Sequence, residues 1–349
     1  MAHLNNFFQD VLNQPADLTK AMTGYFSPAF FNTIQHIRNI SYSQVLFTGM
    51  GSSHFGGIGP SLYLINRGIR SQVISTGQLL HYGRSLIDGD TLTVMISQSG
   101  ESAEIVALLD KLKDKSKVIG ITNNSSSTLA IQARHSLHLN VPDEESVTTR
   151  TYLATLIVTN LLARYLAGSE QAGARADFET AVRGLQELLD RYADRLEELK
   201  DFLASASFIS CVGRGPSFGS AQAAGLFLKE VSKFPSEGQD AAEFRHGPQE
   251  ICDDKFGLIV FAPQGRTGEL GLRLARDIAA KGGKVVLITN IADIVNQDNL
   301  FVLRYAAVDE YLAPIAEIAG AQLVCNVLAE RRGFIPGQFR WCNKITREE

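Results

Sequence analysis

The chain has little cysteine, no basic run and no long apolar stretch. Its four cysteines, Cys211, Cys252, Cys325 and Cys342, form no CxxC pair and no other metal-ligand spacing. They read as reduced core residues, not as a disulfide frame or a metal centre. No uninterrupted apolar run approaches the roughly 20 residues of a membrane span. The opening stretch MAHLNNFFQDVLNQPADLTKAM lacks the basic and then apolar succession of a signal peptide. A cytoplasmic protein is expected. Net charge is −4, again without a long basic run, which disfavours nucleic acid and anionic membranes as partners.

What is present is a 349-residue chain, 45% hydrophobic and 20% charged, with enough core for two domains. Strand-like runs alternate with helix-length patterns, which predicts parallel sheets with crossover helices. In the first half the runs are 44–50, 71–76, 91–97, 117–122 and 135–141; in the second they are 207–213, 257–263, 284–289 and 300–305. The halves also repeat in detail. TGMGSS at 48 matches VGRGPS at 212, SQSGESAE at 97 matches PQGRTGE at 263, and KVIGITNN at 117 matches KVVLITNI at 284. The offsets are 164, 166 and 167 residues. Three matches in register predict two copies of one doubly wound α/β unit. Residues 151–206 have mostly helical patterning, and a boundary near 195 divides 1–195 from 196–349.

In an open parallel sheet, ligands bind at the carboxyl ends of strands near the switch point. TGMGSSHFGG follows the first strand run, where glycines such as Gly51 permit a tight turn. Ser52 and Ser53 stand near the next helix N-terminus, whose free N–H groups and partial positive charge favour an anion. SQSGES repeats that arrangement, with the hydroxyls of Ser97, Ser99 and Ser102 and the amide of Gln98. Neither loop is GxxxxGK[ST], so a nucleotide P-loop is not indicated. The serines could merely cap helices, but two such loops at neighbouring strand ends point to a phosphate.

Acid–base candidates lie between Gly219 and Ile251. A helix is expected to begin at Ser217 or Ser220, with Glu230 near its end beside Lys229. Such a Glu is commonly a solvated surface residue. His246, in EFRHGP, precedes a Gly-Pro break and falls on a loop or helix edge, where an imidazole can act as acid or base near neutral pH.

These motifs together resemble the sugar isomerase (SIS) family, in particular the isomerase half of glucosamine-6-phosphate synthase. SQSGES is similar to that family's SQSGET phosphate loop, and GMGSSH to its GTSY-type loop. ESVTTRTY (145–152) resembles the segment that closes over the sugar, LKEVS…EFRHGP resembles LKEIS…ELKHGP, and FRWCNKIT resembles RNLAKSVT. The resemblance covers residues 40–349 and implies two tandem flavodoxin-like SIS domains. It implies that Ser53, Ser97, Gln98, Ser99 and Ser102 hold a phosphate and that Val147 and Thr149 line the sugar. Glu230 would move a proton between C1 and C2, and His246 would open the ring, reaching the partner's site in a homodimer with shared active sites. Lys344 would lie against the carbonyl and could form an imine. No cofactor and no metal are implied.

Two departures bear on the reaction. The synthase has a glutaminase domain with a cysteine after the initiator Met. Ala2 stands there in this chain, so it is expected not to draw ammonia from glutamine. The synthase also has a Lys three residues before the catalytic Glu, where this chain has Phe227. EFRHGPQEI resembles the HGPLEI-type segment of fructosamine-6-phosphate deglycases, whereas Lys344 fits the synthase and the amino-sugar-phosphate deaminases. The expected activity is aldose–ketose isomerisation of a sugar or amino-sugar 6-phosphate, with or without amine release. Deglycation and a non-catalytic sugar-phosphate sensor are the alternatives. The Glu230–His246 pair and the absence of a basic helix-turn-helix segment count against the sensor.

Overall fold

A computed structural model describes residues 5–87, 89–169, 174–341, 343–346 and 348. It contains ten strands among these residues. The first five are β1 (Gln44–Gly49), β2 (Ser71–Val73), β3 (Thr91–Ile96), β4 (Val118–Thr122) and β5 (His135–His138). The second five are β6 (Phe208–Gly213), β7 (Ser236–Asp240), β8 (Phe256–Phe261), β9 (Lys284–Thr289) and β10 (Leu300–Arg304). All neighbouring strands within the two sheets run parallel. The first sheet has the order β2-β1-β3-β4-β5, and the second repeats it as β7-β6-β8-β9-β10. This is the flavodoxin-like doubly wound order, in which the switch point lies between the first and third strands.

The nine apolar runs of the sequence are nine of the ten strands. The tenth, β7, is SEGQD and has no apolar residue beyond glycine. It is an edge strand paired only with β6, so no buried pattern marks it. The central strands β3 and β8 are buried along their whole length, as expected for strands covered on both faces.

The chain divides into two compact units. One holds the first sheet and comprises 16–144, 148–175 and 340–349; the other holds the second sheet and comprises 1–15, 145–147 and 176–339. In the first-sheet unit, Leu46, Met95 and Val118 pack with Ile105, Leu108 and Leu109 of the helix Ala103–Lys111. In the second-sheet unit, Leu258, Val260, Val285 and Leu287 pack with Leu272, Ala275 and Ile278 of the helix Gly268–Ala280. Fully burying one such side chain contributes about 1.5–3 kcal/mol. Two helices have no polar face: Arg150–Leu166 in the first-sheet unit and Ala313–Arg331 in the second are buried almost throughout. Cys211 and Cys325 are buried, and Cys252 is half-buried; all three are free thiols. Cys342 lies outside the described residues. No described helix is long and apolar enough to cross a membrane.

Candidate active site

In the first-sheet unit, the strand ends at the switch point carry the hydroxyl-rich loops. β1 ends at Gly49, and Gly51 then precedes the short helix Ser52–Phe55. Gly51 has φ +53°, a left-handed conformation that favours glycine. β3 ends at Ile96 and passes through Ser97–Ser102 into the helix Ala103–Lys111. Within this loop Ser97 Oγ lies 3.1 Å from Ser102 Oγ and accepts from Gly100 N at 3.1 Å. Ser99 Oγ accepts from Glu101 N at 3.1 Å. Gly100 has φ +67°, and a Cβ there would meet Ser127 Oγ at 2.1 Å. The neighbouring strand fixes the loop's depth: Thr122 Oγ1 and Asn123 N both donate to Gln98 O.

Ser102 occupies the N-cap position, yet its side chain makes no capping bond. The Ser102 hydroxyl is therefore not consumed by capping, while those of Ser97 and Ser99 accept backbone N–H groups of their own loop. This arrangement can hold an anion.

Thr149 and Lys344 meet on one carboxylate, Glu144, which no sequence motif marks. Glu144 Oε1 accepts from Thr149 N (3.1 Å), Thr151 N (2.8 Å) and Thr151 Oγ1 (2.6 Å). Its Oε2 lies 3.3 Å from Lys344 Nζ, with the Glu144 side chain fully buried and that of Lys344 30% exposed. Lys344 Nζ also donates to Glu144 O at 2.6 Å. The same tail segment reaches the SQSGES loop's helix, where Ala103 N donates to Thr346 O at 3.1 Å. Thr149 Oγ1 is buried and has no hydrogen-bond partner among the described residues.

In the second-sheet unit, Glu230 lies near the end of the helix Ser217–Ser232. Phe227, one turn earlier, is 1% exposed and gives it an apolar neighbour. Burial pushes the Glu230 carboxyl up to about 7, against the opposing pull of Lys233 and Lys229. Lys233 belongs to no sequence motif. It ends the helix with φ +55°, and its ammonium donates to Glu230 O (2.6 Å) and Gln338 O. Val147 is 2% exposed. His246 is exposed on the turn after the helix Ala241–Phe244, with its N–H on Glu243 O. Among the described residues no hydrogen bond joins it to Glu230.

The matching loops of the second sheet differ chemically. After β6, Ser220 Oγ donates to Glu317 Oε1 at 2.6 Å. After β8, Arg266 N donates to Glu310 Oε2 at 2.9 Å, and Arg266 Nε lies 3.4 Å from Oε1. A Cβ at Gly265 would meet Glu310 Oε2 at 2.2 Å. In this copy, carboxylates of the same chain take up donors at both strand ends.

The SIS domain model matches residues 40–165 and again 202–330. The chain belongs to the SIS domain family. It is 30% identical over 308 residues to the isomerizing glutamine–fructose-6-phosphate aminotransferase of Pyrococcus horikoshii, covering 86% of this chain and 51% of that protein. This SIS-family chain thus spans about half the length of the curated relatives it matches. Among solved structures, the C-terminal domain of glucosamine-fructose-6-phosphate aminotransferase from Francisella tularensis superposes with a TM-score of 0.82 at 19% identity, covering 97% of this chain and 99% of that one. Glucosamine-6-phosphate deaminase from Thermotoga maritima gives 0.75 at 22% identity, covering 97% and 99%. Both likenesses are of fold.

Proposed function

We propose that this chain is a sugar 6-phosphate enzyme that moves a proton between C1 and C2, acting on fructose 6-phosphate, glucosamine 6-phosphate or a close derivative. The observation that carries the reading is Glu230: a carboxylate raised to about 7, near the pH at which a general base works best. Ser53, Ser97, Gln98, Ser99 and Ser102, with Gly51 and Ser52 shaping the first loop, hold the phosphate. Val147 and Thr149 line the sugar, and the free hydroxyl of Thr149 meets one of its oxygens. A carbonyl makes the neighbouring C–H acidic; Glu230 removes that proton and returns it to the adjacent carbon. His246 transfers the ring-oxygen proton that opens the sugar, acting in the partner's site of a cytoplasmic homodimer. Lys344, held by Glu144, faces the carbonyl oxygen as a cation or, when neutral, attacks the carbonyl carbon to give an imine and release water.

The test is turnover and exchange together. Wild-type protein incubated with fructose 6-phosphate in deuterated water should incorporate deuterium at C1 or C2. Arabinose 5-phosphate should stabilise the protein less than fructose 6-phosphate does. Absence of both exchange and thermal stabilisation by any hexose 6-phosphate would overturn the reading.

A further inference from the structure

The helix Ser217–Ser232 ends on a residue that its backbone does not favour. Lys233 follows it with φ +55°. Glycine is the ordinary residue at a left-handed helix end, because it has no Cβ to crowd the following carbonyl. A lysine there bears a steric cost and adds an ammonium. The last four carbonyls of an α-helix lack intrahelical partners. Two of them are satisfied here: Lys233 Nζ donates to Glu230 O at 2.6 Å, and Gly337 N donates to Val231 O at 3.2 Å. The same ammonium donates to Gln338 O, and the Arg332 guanidinium donates to Lys233 O. Bonds donated from both sides thus join the helix end to the stretch 335–339.

Glu230 lies three residues before this junction. Glu230 and Lys233 are half-buried, and Lys229 is exposed. The elements packed on this helix add few competing charges. From the helix Ala313–Arg331 the buried thiol of Cys325 senses the Glu230 charge. On that helix Glu317 is bonded to Ser220, Glu330 to Asn326, and Arg331 to the carbonyls of Leu203 and Ala206. β7 carries Glu237, which accepts from Ser210 and Gln239, and Asp240, which caps the next helix. β6, β8 and the stretch 335–339 have no charged side chain. Lys233 is therefore the half-buried cation of this neighbourhood, and its pull on the Glu230 carboxyl exceeds that of Lys229.

We propose that Lys233 is a positioning residue for the proton transfer: its ammonium, bridging the carbonyls of Glu230 and Gln338, fixes the end of the Glu230 helix against the stretch 335–339 and keeps a cation near the carboxylate. This role rests on Glu230 being the base, as read above. A nearby cation favours the ionised carboxylate, so more of the base is present at neutral pH than burial alone would leave. Loss of the ammonium removes the clamp and the counter-charge together.

Two variants separate these effects from folding. Lys233→Gly suits the left-handed backbone and removes the ammonium; Lys233→Arg retains a cation with N–H donors. Two measurements on the full-length protein need no substrate. Amide hydrogen exchange at Gly337 should be at least tenfold faster in Lys233→Gly than in wild type, and close to wild type in Lys233→Arg. The Glu230 carboxyl, followed by carbon-13 NMR and assigned by its absence from Glu230→Gln, should titrate about 1 pH unit higher in Lys233→Gly. With fructose 6-phosphate as substrate, the loss of kcat/KM in Lys233→Gly should be about tenfold greater at about pH 6 than at about pH 9, and Lys233→Arg should restore the wild-type profile. Unchanged Gly337 exchange or an unchanged Glu230 midpoint in Lys233→Gly would overturn the positioning role. So would an equal loss of kcat/KM at every pH, which is what a merely structural residue gives. If wild type turns over no sugar phosphate, the reading of Glu230 as the base fails, and the exchange and titration measurements still decide whether Lys233 holds the helix end.

Discussion

Glu230 and Glu144 show two uses of a carboxylate. Glu230 is raised by burial to about 7, so its basic form grows as pH rises through that value. kcat/KM should accordingly climb with pH between about 6 and 8 and level off above. Glu230→Gln keeps the shape and loses the base. It should leave Kd nearly unchanged, lower turnover about 10²–10⁴-fold and abolish deuterium wash-in. Exchange at the wild-type rate in that variant would assign the proton transfer to another group. Glu144, by contrast, holds other groups in place: it accepts three bonds from Thr149 and Thr151 and faces Lys344. Glu144→Ala strands buried N–H donors and should cost about 2–4 kcal/mol in urea unfolding. Glu144→Gln retains an acceptor for them and should remain close to wild type in stability, with turnover reduced because Lys344 loses its counter-charge. The motif around Glu230 was legible in the sequence. Glu144, one of three acidic residues in PDEES, looks there like any solvated loop residue, and only the fold shows its burial.

At the scale of elements, the apolar runs specified the inner strands β1, β3, β4, β6, β8 and β9 because a strand covered on both faces must be apolar along its length. β7 escaped because an edge strand of five half-buried residues has no such requirement. The SQSGES loop was legible for a different reason: its glycine and hydroxyls are chemical necessities of the turn. Replacing Ser97 and Ser99 by Ala removes two hydroxyls, each worth roughly 1.5–3 kcal/mol when bonded to a charged group. Phosphosugar affinity should fall at least tenfold with the circular dichroism spectrum unchanged; unaltered affinity would remove the phosphate assignment. The helix Ala313–Arg331 hides a second titratable group. Glu317 is fully buried, and burial pushes it up to about 7 despite the hydroxyls of Ser220, Ser217 and Tyr305. Its folded pKa lies above the ordinary 4.5, so folding favours the protonated form. That contribution, on the order of 3 kcal/mol, is complete below about pH 4.5 and is lost as pH rises through 7. Glu317→Gln should therefore flatten the decline in urea-unfolding stability between pH 5 and 8 and be the more stable protein at pH 8.

The whole molecule carries two copies of one sheet order but unequal ligand chemistry. In the second copy Glu310 and Glu317 take up donors at the strand ends, so calorimetry should find one sugar phosphate per chain; two equal sites would show that these carboxylates do not block the second. The reacting groups also divide between chains if His246 serves its partner's site. It is exposed, and no hydrogen bond among the described residues ties it to Glu230, which leaves it available to a neighbour. Glu230→Gln and His246→Ala chains should each be nearly inactive alone. After mixing and subunit exchange, half of the dimers in an equal mixture are heterodimers, and each of these pairs one intact Glu230 with one intact His246. Because the intact His246 belongs to the chain with the altered Glu230, it completes a site only by reaching across the dimer. Up to about a quarter of wild-type activity should then return, since each heterodimer regains one site of two. No recovery, with exchange verified by mass-tagged chains, would show that each chain completes its own site, and His246 would then act beside the Glu230 of its own chain.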